Sequence, residues 1–330
     1  MGRIRPGISS WTEPTLVKSG WYPATATTAE DRLRYYATKF SIVEVDSTFY
    51  AILNPRTAEL WVERTPKNFT FNAKAYALLT QHPTPPARLP KDLREKVGDA
   101  KPNIYFKDLG PKDKESVWDR FREGLQPLQD AGKLGAIVFQ FPKWFLPAPG
   151  SYRFMEDLRE WLPDFRIAIE FRQGSWMKAE RRQRVLSFLK DRGFTYVVVD
   201  EPQGLASSVP PVVAVTAPLG MVRFHGHNRE NWEKKGISTA EKFRYLYKRD
   251  ELQAWAPYVT DQSYVVVEGT CRNGHPLDPG APGPMEAVRE FLAERSDFVA
   301  DRSRERFFLT FNPHGFLKRI APPASTEEPR

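Results

Sequence analysis

Cysteine is nearly absent from this sequence, which contains a single one, Cys271, among 330 residues. One cysteine cannot form a disulfide within the chain, so a reducing compartment is the simpler expectation. His275 follows Cys271 four residues later, but this local spacing does not indicate a reactive thiolate and imidazolium pair. We therefore interpret the thiol as incidental.

Long apolar runs are also missing, since no segment approaches the roughly 20 apolar residues that cross a bilayer. The N-terminus lacks the basic and then apolar pattern of a secretory signal. No GxSxG, Walker or HExxH motif occurs, which argues against a nucleophile elbow, a phosphate loop and a helical zinc site. We expect a soluble, cytoplasmic protein with no membrane partner.

The composition is that of a globular chain, because 41% hydrophobic and 13% aromatic residues can fill a substantial core. The formal net charge is +8, from 49 Lys and Arg against 41 Asp and Glu. This excess favours an anionic partner, either a small anionic substrate or nucleic acid, although it is also typical of ordinary surface charge. The oligomeric state stays open at this point.

Short strand-like runs alternate with stretches of helical periodicity, as at residues 28–40 and 179–192. This alternation predicts βαβ units and a parallel sheet. The first strand is followed by Ser9-Ser10-Trp11-Thr12 and not by a glycine-rich phosphate turn, which favours a barrel over an open doubly wound sheet. The eight predicted strands lie near residues 5–9, 41–45, 69–73, 135–140, 166–171, 195–199, 221–225 and 263–267.

The sequence thus predicts an α/β fold, a single (β/α)₈ TIM-type barrel domain over residues 1–320. The proline- and charge-rich segment 83–116 is predicted to be an insertion after strand three. Residues 301–320 are predicted to form a C-terminal cap, and the polar residues 321–330 are predicted to be a disordered tail.

Polar side chains end all eight predicted strands on the parity opposite to the apolar one. In the run IAIEFR at 167–172, Glu170 and Arg172 share one face of the strand. Buried charges need partners, and barrel active sites lie at the carboxyl ends of the strands. We call this set the polar ring, and its members are Ser9, Trp11, Glu44, Asp46, Asn72, Lys74, Gln140, Glu170, Arg172, Asp200, Arg223, His225 and Glu268.

Several stretches resemble one known family in the same order along the chain. They are GISSWTEP at 7–14, RLRYYATKFSIVEVDSTFY at 32–50, LGAIVFQFP at 134–142, IEFRQGSW at 169–176 and VRFHGHNRENW at 222–232. Together they are similar to the YecE-like family, the domain of unknown function 72, over roughly residues 5–295. The resemblance implies a single TIM-type barrel and no settled activity.

This sequence differs from the family pattern in three places. Asp46 stands where the family usually has Asn, and His227 stands where it commonly has Arg. The eighth predicted strand ends in Glu268 and Gly269, whereas a paired Asn is usual in the family. Any ligand contact that the resemblance implies at these positions needs independent support.

The leading hypothesis from the polar ring is an enzyme that acts on a polar, anionic, sugar-containing substrate, either a nucleic-acid phosphodiester or a sugar phosphate. The cations would neutralise the anion, and carboxylates or the imidazole would transfer protons. The candidate catalytic residues are Glu44, Glu170 and His225. The candidate substrate-binding residues are Ser9, Trp11, Asp46, Lys74, Gln140, Arg172, Trp176 and Arg223.

A divalent metal is a further hypothesis, because Glu170, Asp200, His225 and Glu268 end four successive predicted strands. One imidazole and three carboxylates suit Mn²⁺, Mg²⁺ or Zn²⁺. The order of these residues resembles that of the xylose-isomerase-like barrels. The carboxylates need a compensating cation, and that cation can equally be the guanidinium of Arg172 or Arg223, in which case no metal is required.

Two other functions remain open from the sequence. A non-catalytic nucleic-acid or nucleotide binding protein would use the same cations and aromatic side chains without breaking a bond. A two-carboxylate glycoside hydrolase could draw on Glu44, Glu170 and Glu268. Gln140 stands on the fourth strand, where barrel glycosidases commonly have Glu, which lowers that hypothesis.

Overall fold

The computed structural model describes residues 5, 7–98, 101–205, 207–245, 247–248, 251, 255, 264–266, 284–296, 298–300 and 316–319. The chain divides into two compact units. The first unit is Gly7–Arg244, and the second is formed by Met1–Pro6 together with Tyr245–Arg330.

The first unit is an α/β fold around a six-stranded parallel sheet that curls into part of a barrel, with its strands in sequential order. Sequential order is expected of βαβ units, because each connecting segment returns the chain so that the next strand runs parallel to the previous one and beside it. The strands are β1 (Ile42–Val45), β2 (Thr70–Lys74), β3 (Leu134–Gln140), β4 (Ile167–Glu170), β5 (Thr195–Asp200) and β6 (Met221–Phe224).

Helices connect these strands, and four of them begin at a residue whose side chain caps the helix. The second helix starts with a capping box, in which the side chain of Thr28 accepts from the backbone of Asp31 and the Asp31 side chain accepts from Thr28. The helices of this unit are α1 (Pro14–Lys18), α2 (Ala29–Lys39), α3 (Ser47–Tyr50), α4 (Pro55–Glu63), α5 (Lys91–Val97), α6 (Pro111–Asp130), α7 (Pro149–Trp161), α8 (Ala179–Asp191), α9 (Arg229–Trp232) and α10 (Thr239–Lys242).

The core lies on both faces of the sheet, because the central strands are buried along their whole length. All residues of β4 and β5 are buried, as expected for parallel strands that have side chains packed on both faces. The register pairs Gln140 with Glu170 across β3 and β4. The carboxyl ends of these strands therefore bring their polar side chains to the same edge of the sheet.

Lys133, immediately before β3, joins that strand to the end of α4. Its side chain is buried, and its ammonium donates to the carbonyl oxygens of Val62 and Thr65, both at 2.7 Å, and to Thr65 Oγ1 at 3.0 Å. These three oxygens match the three N–H donors of the ammonium. The ammonium also supplies a hydrogen-bond donor to carbonyl groups at the end of α4, where the helix itself provides no N–H partner. Burial lowers the pKa of Lys133.

Seven of the eight predicted strands are present in the described residues, six of them in the parallel sheet, but the predicted eight-stranded barrel is not confirmed. Residues near 5–9 form only an isolated parallel bridge, between Ser9 and Glu44. Ser10 has φ 69°, which is the left-handed conformation and ends extended pairing after that bridge. The predicted eighth strand is present, but it belongs to the second unit and not to the parallel sheet.

The described part of the second unit contains an antiparallel sheet in the order β7-β9-β8. Its elements are β7 (Tyr264–Val266), α11 (Pro284–Glu294), β8 (Phe298–Ala300) and β9 (Phe316–Arg319). The predicted eighth strand is β7, which pairs antiparallel with β9 and not within a parallel sheet. An apolar run predicts a strand but not the direction of its partner, which explains this error. The predicted tail at 321–330 and most of the predicted cap at 301–320 lie outside the described residues.

The segment 83–116, predicted to be an insertion, follows β2 and leads into α6. Thr84 and Ile104 form an antiparallel bridge, which closes the segment into a compact loop. Asp92 of α5 makes a two-point ion pair with Arg120 of α6, at 2.7 and 2.8 Å. The segment is therefore held to the helix that follows it. Within the described ranges, no helix is both long enough and apolar enough to span a membrane.

Gly124 allows a close approach between α6 and the loop before α4, and replacing it should destabilise the fold. A Cβ at this position would lie 2.2 Å from the carbonyl oxygen of Leu53. Alanine normally stabilises a helix relative to glycine, but this backbone clash requires α6 to move. We expect Gly124→Ala to lower the melting temperature by several degrees, since about 1–3 kcal/mol is typical of overpacking.

Gly150→Ala is the matched control, because Gly150 is also helical and a Cβ there meets nothing within 4 Å. We expect its melting temperature to stay unchanged or rise slightly. Equal melting temperatures for the two variants would show that α6 moves away from Leu53 at no cost.

Candidate active site

Glu170, the last residue of β4, is the centre of the candidate site. Its side chain is fully buried and accepts hydrogen bonds from Gln140 Nε2 at 2.7 Å, His225 Nε2 at 3.1 Å and Arg172 Nη1 at 3.2 Å. Arg223 also donates to it. Burial raises the pKa of Glu170, but Arg223, His225 and Arg172 outweigh burial and hold it well below the usual range. Glu170 is therefore a carboxylate at neutral pH.

Arg223 joins two strands on opposite sides of the site. One of its amino groups donates to Glu170, and the other donates to Glu44 Oε1 at 2.5 Å. Burial lowers the pKa of Arg223, but the neighbouring carboxylates of Glu170 and Glu44 reverse the effect and raise it. The guanidinium thus links β6 to β4 and β1, and Ser9 Oγ extends the network by donating to Glu44 Oε1 at 3.2 Å.

His225 follows β6 and is a neutral imidazole at neutral pH. Burial and then the positive charge of Arg172 lower its pKa from 6.5 to about 4, although Glu170 acts in the opposite direction. Glu170 is ionised and can only accept, so His225 Nε2 carries the hydrogen and Nδ1 carries the lone pair. The pair therefore presents Nδ1 as a proton acceptor, with a carboxylate ready to stabilise the imidazolium.

Arg172 connects Glu170 to a second group of charges on its other side. Its Nη1 lies 3.3 Å from Glu201 Oε2, and its guanidinium lies over the ring of Trp232 at 4.7 Å. Lys242 Nζ lies 5.6 Å from the centre of the same ring. Burial, then Arg172 and Lys143, lower the pKa of Lys242, which identifies this corner as a concentration of positive charge.

Glu201 is the carboxyl group of the site whose pKa is raised. Burial is the main cause, and the ion pair with Arg172 and the backbone N–H of Val209 offset it only in part. Glu201 can therefore hold a proton at a higher pH than an ordinary glutamate. Glu170 and Glu201, both near Arg172, have their pKa values moved in opposite directions, which is the pattern of groups suited to acid and base roles.

Lys74, the last residue of β2, lies on the other side of Gln140. Its ammonium is 3.2 Å from Asp46 Oδ1 and 3.4 Å from Gln140 Oε1, and it lies 4.7 Å from the centre of the Phe49 ring. Asp46 is the more exposed partner of this pair. Gln140 bridges the two halves of the site, because its amide also donates to Glu170.

An aromatic rim borders Lys74, and we use this name for Phe49, Tyr50, His82 and Trp144. Neighbouring rings contact edge to face, with His82 5.1 Å from Phe49 and 5.8 Å from Trp144. Tyr50 is 46% exposed and Trp144 is 55% exposed, which is high for such large side chains. Burial, then Lys74 and Arg172, lower the pKa of His82 to about 4. The rim therefore offers neutral, partly exposed ring faces beside a cation.

Other residues of the polar ring lie apart from Glu170. Asn72 Oδ1 accepts from the backbone of Ala136, and Asp200 pairs with His227 at 2.7 Å. Trp11 packs edge to face on Trp61 at 5.2 Å, and its indole donates to the carbonyl of Ala29. Trp176, proposed as a substrate contact, is fully buried, stacks on Phe171 at 4.3 Å and donates to the carbonyl of Phe145. Both indoles therefore lie in the core.

The predicted metal ligands are only partly within the described residues, because Glu268 lies outside them. Glu170 and His225 hydrogen-bond each other, whereas Asp200 is paired with His227. Among the described residues, no three His, Cys, Asp or Glu side chains converge as metal ligands. The cations next to Glu170 are the guanidiniums of Arg172 and Arg223, the second of the two arrangements that the sequence leaves open.

Three titratable residues of the site are absent from the sequence-based candidates: Glu201, Lys242 and His82. Glu201 directly follows Asp200 at the end of β5, where the alternation of faces no longer applies. A second carboxylate directly after a strand could have indicated Glu201 from the sequence. Lys242 and His82 lie in α10 and in the loop after β2, and no periodicity in the sequence connects them to the site.

A match over most of its length shows which protein family this chain belongs to. The family described as "Protein of unknown function DUF72" matches residues 5–279. This chain belongs to the DUF72 family. The resemblance expected from GISSWTEP and IEFRQGSW is thereby confirmed, since the YecE-like proteins are the same family.

Curated and solved DUF72 proteins support the assignment. The UPF0759 protein YunF of Bacillus subtilis is 32% identical over 259 residues, which cover 77% of this chain and 82% of that protein. A DUF72 crystal structure from Enterococcus faecalis has 27% identity and a TM-score of 0.60 over 77% of this chain and 82% of that one. A DUF72 structure from Thermotoga maritima has 26% identity and a TM-score of 0.57, covering 77% and 85% of the two chains.

A different family matches the C-terminal part of this DUF72 chain. The family described as "Rhamnosyl O-methyltransferase/CmcI" matches residues 245–320, which begin where the second unit begins. Rhamnosyl O-methyltransferase of Mycobacterium tuberculosis (strain CDC 1551 / Oshkosh) is 40% identical over 72 residues. These residues are 21% of this chain and 29% of that protein. The two family matches overlap over residues 245–279, which include the predicted eighth strand.

Proposed function

We propose that the first unit of this DUF72 chain is an enzyme that binds a sugar phosphate and moves a proton at the pair formed by Glu170 and His225. The observation that carries the proposal is the 3.1 Å contact between His225 Nε2 and Glu170 Oε1. In this contact the imidazole is neutral and can accept a proton, and the buried carboxylate offsets part of the cost of the positive charge that results.

The proton would move at His225 Nδ1, because Nε2 is engaged with Glu170. Nδ1 would take a proton from a carbon or hydroxyl group of the sugar, and the resulting imidazolium would return it to the product. Glu170 would orient the ring and stabilise the positive charge without taking up the proton itself, since its pKa lies well below the usual range. The aromatic contacts of His225 with Trp232 and Phe243 help to fix the ring.

The phosphate would bind at the corner formed by Arg172, Trp232 and Lys242. Among the described residues, the carboxylates of Glu170 and Glu201 both contact Nη1 of Arg172, and its other N–H groups would bind the anion. Lys242 has its pKa lowered by burial and by Arg172, and a phosphate would relieve both effects. Glu201 is the opposing charge, and its raised pKa allows it to become neutral when the anion binds.

The sugar would extend from this corner along Gln140 and Lys74 towards the aromatic rim. Amide and ammonium groups hydrogen-bond hydroxyl groups, and exposed aromatic faces such as that of Trp144 pack on sugar rings. The glycoside hydrolase alternative requires a protonated carboxylic acid at the scissile bond, and Glu201, which is not among its sequence-based candidates, is the residue that would have to supply it. Glu170 is ionised, and Glu201 is the carboxyl group with a raised pKa.

Binding and turnover of ribose 5-phosphate test this proposal together. We expect ribose 5-phosphate to raise the melting temperature more than ribose or inorganic phosphate does, since a ligand that binds the folded state stabilises it by mass action. Proton NMR in D₂O should then show enzyme-dependent exchange or conversion of the sugar. Arg172→Gln should abolish the melting shift, whereas His225→Gln should keep the shift and lose the turnover.

Arg182→Gln is the matched control for charge, because Arg182 is exposed on α8 and lies outside the site. A melting shift without exchange or conversion in the wild type would instead favour a non-catalytic nucleotide or nucleic-acid binding protein. The absence of any shift with sugar phosphates would refute the substrate class.

A further inference from the structure

A cleft lined by charged and aromatic side chains lies on the outer face of the first unit, between α7 and α8. Its volume is about 550 Å³, and it is lined by residues of both helices and of the loop before α7. A volume of this size lies within the range of small-molecule sites, which is about 300–1,000 Å³. The cleft shares no residue with the candidate active site. Its charged and aromatic lining includes Arg153, Arg181, Arg184, Arg192, Glu156 and Tyr152.

The charge of the cleft is strongly positive. Four guanidiniums and one carboxylate line it, which gives a formal charge of +3. The carboxylate of Glu156 is engaged by Arg192. Arg153, Arg181 and Arg184 have no carboxylate partner among the described residues. Cations of the same sign that face one cavity repel each other, and a bound anion removes that repulsion.

Three of the four guanidiniums, those of Arg181, Arg184 and Arg192, make neutral contacts. Arg181 Nη1 donates to the carbonyl oxygen of Ser175 at 2.7 Å, and Arg192 lies over the ring of Phe188 at 4.3 Å. Arg184 lies 5.9 Å from the centre of the Tyr152 ring. The contacts of Arg181 and Arg184 orient these two planar groups without neutralising their charge, whereas Arg192 is also paired with Glu156. An ordered guanidinium presents paired N–H donors that match two oxygens of a phosphate.

The aromatic floor of the cleft is rigid. Tyr152 contacts Phe188 edge to face at 4.8 Å and Trp176 at 5.3 Å. Trp176 is itself fully buried against the core. The arginines therefore stand beside a packed aromatic surface, so an anion that binds here need not order the rings beneath it.

We propose that this cleft is a binding site for a small molecule that carries two or more linked phosphate groups. Three arginines without acidic partners exceed what a single phosphate needs, and their placement on two facing helices suits an extended chain of phosphates. This site is separate from the proposed sugar-phosphate site at Glu170, so it can be confirmed or refuted independently of that function.

Titration with inorganic tripolyphosphate tests the proposal, with inorganic phosphate as the comparison ligand. Calorimetry on the full chain at about 0.15 M salt should detect clear binding of tripolyphosphate and only weak binding of phosphate. Replacing an arginine of the cleft, in Arg153→Gln or Arg184→Gln, should weaken tripolyphosphate binding by about tenfold or more, as expected for the loss of a charge-assisted contact.

Arg182→Gln is the matched control, because Arg182 is exposed on the same helix, carries the same charge and does not line the cleft. Its affinity for tripolyphosphate should equal that of the wild type. The melting temperature of each variant checks that the helices remain folded.

Three results would overturn the proposal. The first is no detectable binding of tripolyphosphate to the wild type. The second is an equal loss in Arg182→Gln, which would indicate attraction by the general surface charge. The third is tighter binding of a short DNA duplex than of tripolyphosphate, with the same dependence on Arg153 and Arg184. That result would assign the cleft to a nucleic-acid backbone.

Discussion

Arg223→Ala is expected to lower the free energy of unfolding by about 3–5 kcal/mol, the usual cost of removing one partner from a buried ion pair. Arg223 contacts both Glu170 and Glu44, whose side chains are 0% and 11% exposed. Without the guanidinium, Glu170 keeps only Arg172 as a cationic partner, and Glu44 loses the arginine that holds it. Chemical denaturation, followed by tryptophan fluorescence, would measure the loss.

Arg120→Ala is the matched control for Arg223→Ala. Arg120 also makes a two-point contact with a carboxylate, that of Asp92, but both side chains are largely exposed. Exposed ion pairs contribute little, so its effect should be much smaller. Adding Glu170→Gln to Arg223→Ala should recover part of the stability, because it removes a carboxylate that has lost its main partner. Equal losses for Arg223→Ala and Arg120→Ala would contradict the buried-pair interpretation.

Acid should destabilise this protein through its buried histidines before its carboxylates titrate. His225 has an ordinary pKa of 6.5 in the unfolded chain and one of about 4 when folded, because burial and then Arg172 lower it. Between these pH values the unfolded state binds more protons, so the free energy of unfolding falls as the pH falls. His225 alone should account for a loss of about 2 kcal/mol between roughly pH 7.5 and roughly pH 5.

The difference between the wild type and His225→Gln isolates this contribution. The variant keeps an amide donor for Glu170 but cannot titrate, so its stability should fall less over the same pH range. Glu201 acts with the opposite sign, since its raised pKa stabilises the folded state at low pH, and it is present in both proteins. His82→Gln should reduce the loss of stability in acid by a similar amount, because the pKa of His82 is also about 4. Parallel pH profiles for wild type and His225→Gln would refute the prediction.

Much of the site was predictable because it lies within strands, where a rule of alternation applies. The run IAIEFR places Glu170 and Arg172 on one face, and the structure joins them at 3.2 Å. The parity of β6 likewise places Arg223 and His225 on the same side, and both contact Glu170. What the sequence left open was which cation compensates Glu170, since that depends on the distances between strands.

Prediction was weaker beyond the strand ends, where the chain turns and the alternation ceases. Trp11 and Trp176 were expected to contact a substrate, but both indoles turn into the core and donate to backbone carbonyls. Glu201 was missed for the same reason. The direction of β7 was not predictable either, because an apolar run such as Tyr264–Val266 is compatible with a parallel or an antiparallel neighbour.

The three hydrogen bonds of Lys133 make this residue a natural reporter of unfolding. Acylating reagents react with a free amine, and this ammonium is 4% exposed with its three donors occupied by Val62 and Thr65. The rate at which Lys133 is labelled therefore measures how often the junction of β3 and α4 opens. Exposed lysines such as Lys91 and Lys96 would be labelled at once and serve as the internal reference.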